Sequence, residues 1–104
     1  MDTKKIIEAF TNLAKEKNID KIDLTNIIEE VFSSLLMKKY GEDFIENFSI
    51  IVNMERGEIE IYQEMTVVEI VNNKVNEISL EEVNKIDSTL KIDEMYINVL
   101  DISM

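Results

Sequence analysis

Two hydrophobic periods run along this chain, one near four and one of two, and the switch between them divides it. From Lys4 to Lys17 the apolar residues Ile6, Ile7, Ala9, Phe10, Leu13 and Ala14 recur at three- and four-residue spacings, the period of an amphipathic helix. Asn18 tolerates the left-handed conformation that ends helices, and Ile19 behind it can fold back in a Schellman-type stop. A second helix is expected from an Asp23 cap, presenting Leu24, Ile27, Ile28, Val31, Phe32, Leu35 and Leu36 along one face until Gly41 ends it. The short connection predicts an antiparallel pair or a corner, and leaves that choice open.

After Gly41 the period falls to two. Phe48, Ile50, Val52 and Met54 alternate with Asn47, Ser49, Ile51 and Asn53, which predicts a strand. Ile59 and Ile61 alternate with Glu58, Glu60 and Tyr62, and Glu55-Arg56-Gly57 supplies the glycine of a hairpin loop between two antiparallel strands. The β-branched run Met65 to Val71 reads as a third strand, closed by a polar turn at Asn72 and Asn73. Ser79 to Asp87 opens with a Ser-Leu-Glu-Glu capping box, Ser79 with Glu82, and Ile78 and Val83 stand where a hydrophobic staple would. This short helix is expected to present Leu80, Val83 and Ile86 to the core, ahead of a weakly alternating last strand from Met95 to Ile102. The expected fold is α+β, in the order α-α-β-β-β-α-β: two amphipathic amino-terminal helices, then an antiparallel or mixed sheet of three to four strands with one short capped helix.

Composition narrows the function. With 104 residues, 45% hydrophobic and 32% charged, no proline and only Gly41 and Gly57 as breakers, residues 1–104 read as one domain without a linker. The amino terminus leads into a periodic helix, so neither a signal peptide nor a membrane span is expected, and with no cysteine a cytoplasmic location is the default. A net charge of −11 repels phosphate backbones, so protein partners are expected before nucleic acid.

Catalytic readings find little support. Without histidine or cysteine, the usual proton shuttle at neutral pH, the Ser-His-Asp triad and common zinc sites cannot be built. No glycine run exists to wrap a phosphate, and no cofactor or small-molecule substrate is expected. The acidic pairs Glu29/Glu30, Glu42/Asp43, Glu81/Glu82 and Asp93/Glu94 could be imagined as acid/base dyads or magnesium ligands, but helical neighbours do not share a face, and a solvated surface is the simpler reading. One cluster breaks the acidic pattern: Lys38, Lys39 and Tyr40, in the last turn of the second helix. The lysines can simply complement the helix dipole while Tyr40 continues the apolar line from Leu36, or the three can contact phosphate or an acidic partner.

The stretches IIEAFTNLAKEKNID and IIEEVFSSLLMKKYG, the hairpin MERGEIEIYQEMTVVE and the segment ISLEEVNKID together resemble the amino-terminal domain of the NusA family of bacterial transcription factors, in matching order over nearly the whole chain. The resemblance implies a non-catalytic α/β head that docks on RNA polymerase near the RNA exit channel, at the β-flap tip, and affects pausing, termination and antitermination. It implies further that Lys38 and Lys39 match family basic groups facing emerging RNA. An alternative is therefore a module contacting an RNA hairpin through Lys38, Lys39 and Tyr40. Family members continue into a connecting helix, an OB-fold and KH domains that lie outside this sequence, and a monomer is expected. The chain departs from the family pattern at Asp93, where glycine is common, and in having Arg56 as its only arginine.

Overall fold

Short-range signals start and stop most elements. The computed structural model describes residues 2–100. Helix α1, Thr3–Lys17, begins where the Asp2 carboxylate accepts the N–H groups of Lys4 and Lys5. It ends at Asn18, left-handed at φ 56°, and the N–H of Ile19 returns to the Ala14 carbonyl at 2.9 Å, as the stop signal requires. Helix α2, Lys21–Tyr40, is capped by Asp20 and not by Asp23. The Asp20 carboxylate accepts the Asp23 N–H at 2.9 Å, which puts Asp23 inside the first turn, where its charge favours the positive end of the helix dipole.

A 3₁₀ segment, Glu42–Asn47, turns the chain into strand β1, Phe48–Asn53. Strand β2, Glu58–Val68, returns antiparallel to it with Ile50 opposite Ile61. Of the expected third strand at Met65 to Val71, residues 65–68 are the end of β2 and residues 69–71 lie beyond it: nothing between Tyr62 and Met65 breaks the run, so one strand of 11 residues forms and stops at Val68. The third strand in chain order is instead β3, Glu77–Ser79, which pairs parallel with β2 from Thr66 to Val68. Helix α3, Leu80–Asn84, follows directly, and Ser79 Oγ accepts the Glu82 N–H at 3.1 Å, forming one half of the capping box. Strand β4, Met95–Leu100, lies antiparallel on β2. The expected continuation of this strand to Ile102, like Met1 and the rest of the 1–104 domain assignment beyond Leu100, falls outside the described residues.

The sheet is mixed, with β2 as its spine. Thr66 donates its N–H to Asn76 beside β3 while Val67 donates to Glu94 beside β4, so β2 serves both edges: β1 and then β3 on one side, β4 on the other. Ile59, Ile61, Gln63 and Val67 are the buried row of its inner face. Against that face Leu24, Ile28, Phe32 and Leu36 of α2 meet Phe48, Ile59 and Ile61, with Ile7 and Ala14 of α1 completing the main core. Val67 and Val83, both fully buried, sit outside that cluster, at the α3 end of β2.

Two apolar expectations are corrected. Ile86 is 65% exposed because α3 stops at Asn84, so it never completes the helical face that buries Val83. On α2 only the apolar residues four positions apart, Leu24, Ile28, Phe32 and Leu36, are buried against the sheet. Ile27, Val31 and Leu35, one step round the helix, stay 37%, 40% and 51% exposed.

Candidate partner-docking site

The carboxyl end of α2 and the start of α3 stand over the same face of the sheet, and the space between them is an open groove of ≈ 670 Å³. Tyr40 forms one wall, Glu82 and Ile86 the other. The floor belongs to β2 and β4, where Met65 lies opposite Tyr96 and Gln63 opposite Asn98. The long β2 strand makes this possible, since it carries the main core at one end and the buried Val67 at the other.

Gln63 is the buried polar residue of that floor. Its Nε2 donates to the Val75 carbonyl at 2.6 Å and its Oε1 accepts from Asn98 Nδ2 at 3.1 Å. Leaving a buried amide unpaired costs about 1–3 kcal/mol, so these bonds tie the 70–76 loop and β4 to the floor. Glu77 is committed likewise, its Oε1 accepting the N–H groups of Asn72 and Asn73 at 2.8 and 2.9 Å. The groove thus offers aromatic and aliphatic walls, an amide floor and charges at its rim, Lys74 and Glu82. Such a lining suits an amphipathic protein segment, whose apolar ridge meets Met65 and Ile86 while its polar flank meets the rim.

The cluster at the end of α2 adjoins this groove. Tyr40 stacks on Phe48 with ring centroids 4.9 Å apart, and packs against the main core. Lys39 Nζ lies 5.4 Å from the Tyr40 ring centroid, a cation–π contact, and Lys38 and Lys39 are both exposed. The structure therefore brings Lys39 and Tyr40 together and anchors Tyr40 in the fold, leaving the two ammonium groups in solvent. The acidic pairs stay at the surface, with Glu29 half-buried and its fellows exposed, and among the described residues no group of three or more acids converges as metal ligands would. Tyr62, whose phenol is pushed above its ordinary range by its hydrogen bond to Glu60, lies on the opposite sheet face. Asp87, whose carboxyl is held low by hydrogen bonds from Thr89, lies beyond α3.

Sequence reasoning did not single out Gln63, Met65, Tyr96 or Ile86 as groove residues. The one available signal was Gln63, a polar residue in phase with the inward row of Ile59 and Ile61.

Comparison with known proteins agrees with this architecture. Residues 5–102 match the family model of the NusA N-terminal domain. The chain is 32% identical over 92 residues to the transcription termination/antitermination protein NusA of Rickettsia conorii, covering 88% of this chain and 18% of that protein. The protein of the same name from Halalkalibacterium halodurans is 33% identical over 91 residues, covering 86% of this chain and 23% of its own length. The chain thus spans about a fifth of the length of these curated relatives. Among solved structures, the solution structure of the N-terminal domain of NusA from B. subtilis matches with a TM-score of 0.50 at 26% identity, covering 97% of this chain and 80% of that one. Among the described residues no helix is long and apolar enough to cross a membrane. With a family match over almost its whole length, relatives at about a third identity and the same arrangement of helices and sheet, this chain belongs to the NusA N-terminal domain family, a family of non-catalytic domains.

Proposed function

We propose that this domain works in the bacterial cytoplasm as the polymerase-docking part of a transcription factor, seated near the RNA exit channel at the β-flap tip, where it modulates pausing, termination and antitermination. The carrying observation is the groove between α2 and α3: an amide-floored trough with apolar walls and a charged rim, in a family whose curated relatives are termination/antitermination proteins. A helix of the flap would lay its apolar face on Met65 and Ile86, between Tyr40 and Tyr96. A trough this size engages a small interface, near or below about 1,200 Å², and small transient interfaces bind weakly. Titrating the labelled domain with the isolated flap should therefore shift resonances lining the groove, and Ile86→Glu should weaken binding by about tenfold, or ~1.4 kcal/mol. A flap that leaves every groove resonance in place at high concentration would rule the reading out.

A second reading keeps Lys38, Lys39 and Tyr40 as contacts to an RNA hairpin, favoured by two exposed lysines in the last turn of α2. Phosphate contacts of this kind release counterions, so replacing both lysines by glutamate should flatten the salt dependence of binding by a slope of about one to two. If Lys38→Glu with Lys39→Glu leaves hairpin-stimulated pausing by the full-length factor unchanged, this reading fails.

A further inference from the structure

The outer edge of β4 carries a different kind of surface. Val67 N–H and its carbonyl bond to Glu94 and Asp93, so along β2 the groups of Met65, Gln63 and Ile61 also point toward β4 and meet Tyr96, Asn98 and Leu100. By the same alternation, the N–H and carbonyl groups of Met95, Ile97 and Val99 point away from β2. Among the described residues β4 pairs with β2 alone, so these groups form an open edge. Natural edges are blunted by lysine, proline or a mid-strand bulge. From Met95 to Leu100 this strand has no charge and no proline. Its outward side chains are apolar and solvent-facing: Met95 is 56%, Ile97 44% and Val99 60% exposed. The other edge of the sheet differs, because β1 begins with its Phe48 N–H already bonded to the Ile45 carbonyl, and its outer face carries Ser49 and Asn53 beside Ile51.

Charge selects the occupant. Glu64 stands directly across from Ile97 on the outer face, Glu58 and Glu60 continue the same row of β2, and Asp93 and Glu94 lead into the strand. A chain of net charge −11 repels a second copy of itself, and a carboxylate row repels nucleic-acid phosphates. An incoming strand with alternating aliphatic and basic side chains satisfies both features: its backbone completes the open ladder, and its long cationic side chains reach over Ile97 toward Glu64. We propose that the β4 edge is a docking site for an extended, lysine- or arginine-bearing segment of a protein partner, which adds a strand to the sheet.

The test uses the full chain and a synthetic peptide of alternating valine and lysine. At saturation, hydrogen exchange at the amides of Met95, Ile97 and Val99 should slow by about tenfold or more. A peptide with glutamate in place of lysine should have no effect, and added salt should reverse the protection. Ile97→Pro removes an outward donor that the ladder with β2 does not use, and should abolish the protection. Should that variant not fold, Ile97→Lys keeps the N–H but adds a like charge, and should weaken peptide binding by about tenfold. The proposal is overturned if the valine-lysine peptide slows none of the three amides, or if the glutamate peptide acts as well. It is equally overturned if rising protein concentration alone protects the edge, or if single-stranded RNA protects it to the same degree.

Discussion

At Asp93 the backbone stands at φ 72°, in the left-handed region, and bonds as the first residue of a β-bulge: its N–H donates to the Val67 carbonyl at 2.8 Å while Val67 donates to Glu94 at 2.9 Å. Glycine adopts that conformation without a steric cost, which gives a physical reason for glycine at the corresponding point of the family pattern. Asp93→Gly should stabilise the domain by about 0.5–1 kcal/mol, less than a full left-handed penalty because aspartate tolerates the region and glycine loosens the unfolded chain. Urea melting would reveal it as a higher midpoint at constant slope, and an unchanged midpoint would mean that the Asp93 side chain contributes as much as its backbone costs. On the outer face, the Tyr62 hydroxyl donates to Glu60, and this bond raises the phenol pKa above 10.0. A folded-state pKa above the unfolded one makes the contribution complete below the unfolded value and lost as pH rises through the folded one. Alkaline titration of the Tyr62 ring by NMR should move downward in Glu60→Gln; a curve that does not move would mean that Glu60 does not hold the proton.

Helix α3 has five residues, too few to persist by propensity alone, so its cap and the burial of Val83 must hold it. Ser79→Ala should cost about 1 kcal/mol. The loss should appear as faster hydrogen exchange from Glu82 to Asn84, with the β1 and β2 hairpin amides unaffected; uniform acceleration instead would mean that α3 unfolds only with the whole domain. The Ser79 cap, α1 with its Asn18 stop, α2 and the hairpin were all legible in the sequence, because each rests on contacts between near neighbours. The third strand was not. Met65 to Val71 has strand composition, but it continues Glu58 to Glu64 without a breaking residue, while Glu77–Ser79 is too short to display a period and exists only because β2 offers it an edge. Of the candidate site, Lys38, Lys39 and Tyr40 stood out as an interruption in an acidic chain. The groove beside them did not, since Met65, Tyr96 and Ile86 meet only through the crossing of elements distant in sequence.

The whole domain is long for its size, with extents of 52 × 26 × 22 Å, because it has a main core under the helices and a small one beneath α3. Both rest on one strand, so thermal unfolding should be a single transition, whose calorimetric and van't Hoff enthalpies agree. Val83→Ala should lower stability by about 2 kcal/mol through loss of buried area and should also loosen the α3 wall of the groove, weakening flap binding beyond what any change in the α2 wall explains. Unaltered flap affinity in that variant would mean that the groove's geometry does not depend on α3. Strand β2, with 11 residues at about 3.3 Å each, is a rod of roughly 36 Å that joins the hairpin turn under α1 to the floor beneath α3. A rod has no hinge. Whatever grips the domain at its α3 end therefore also aims its far end, so that a small tilt where it is held becomes a swing of several ångströms at the tip.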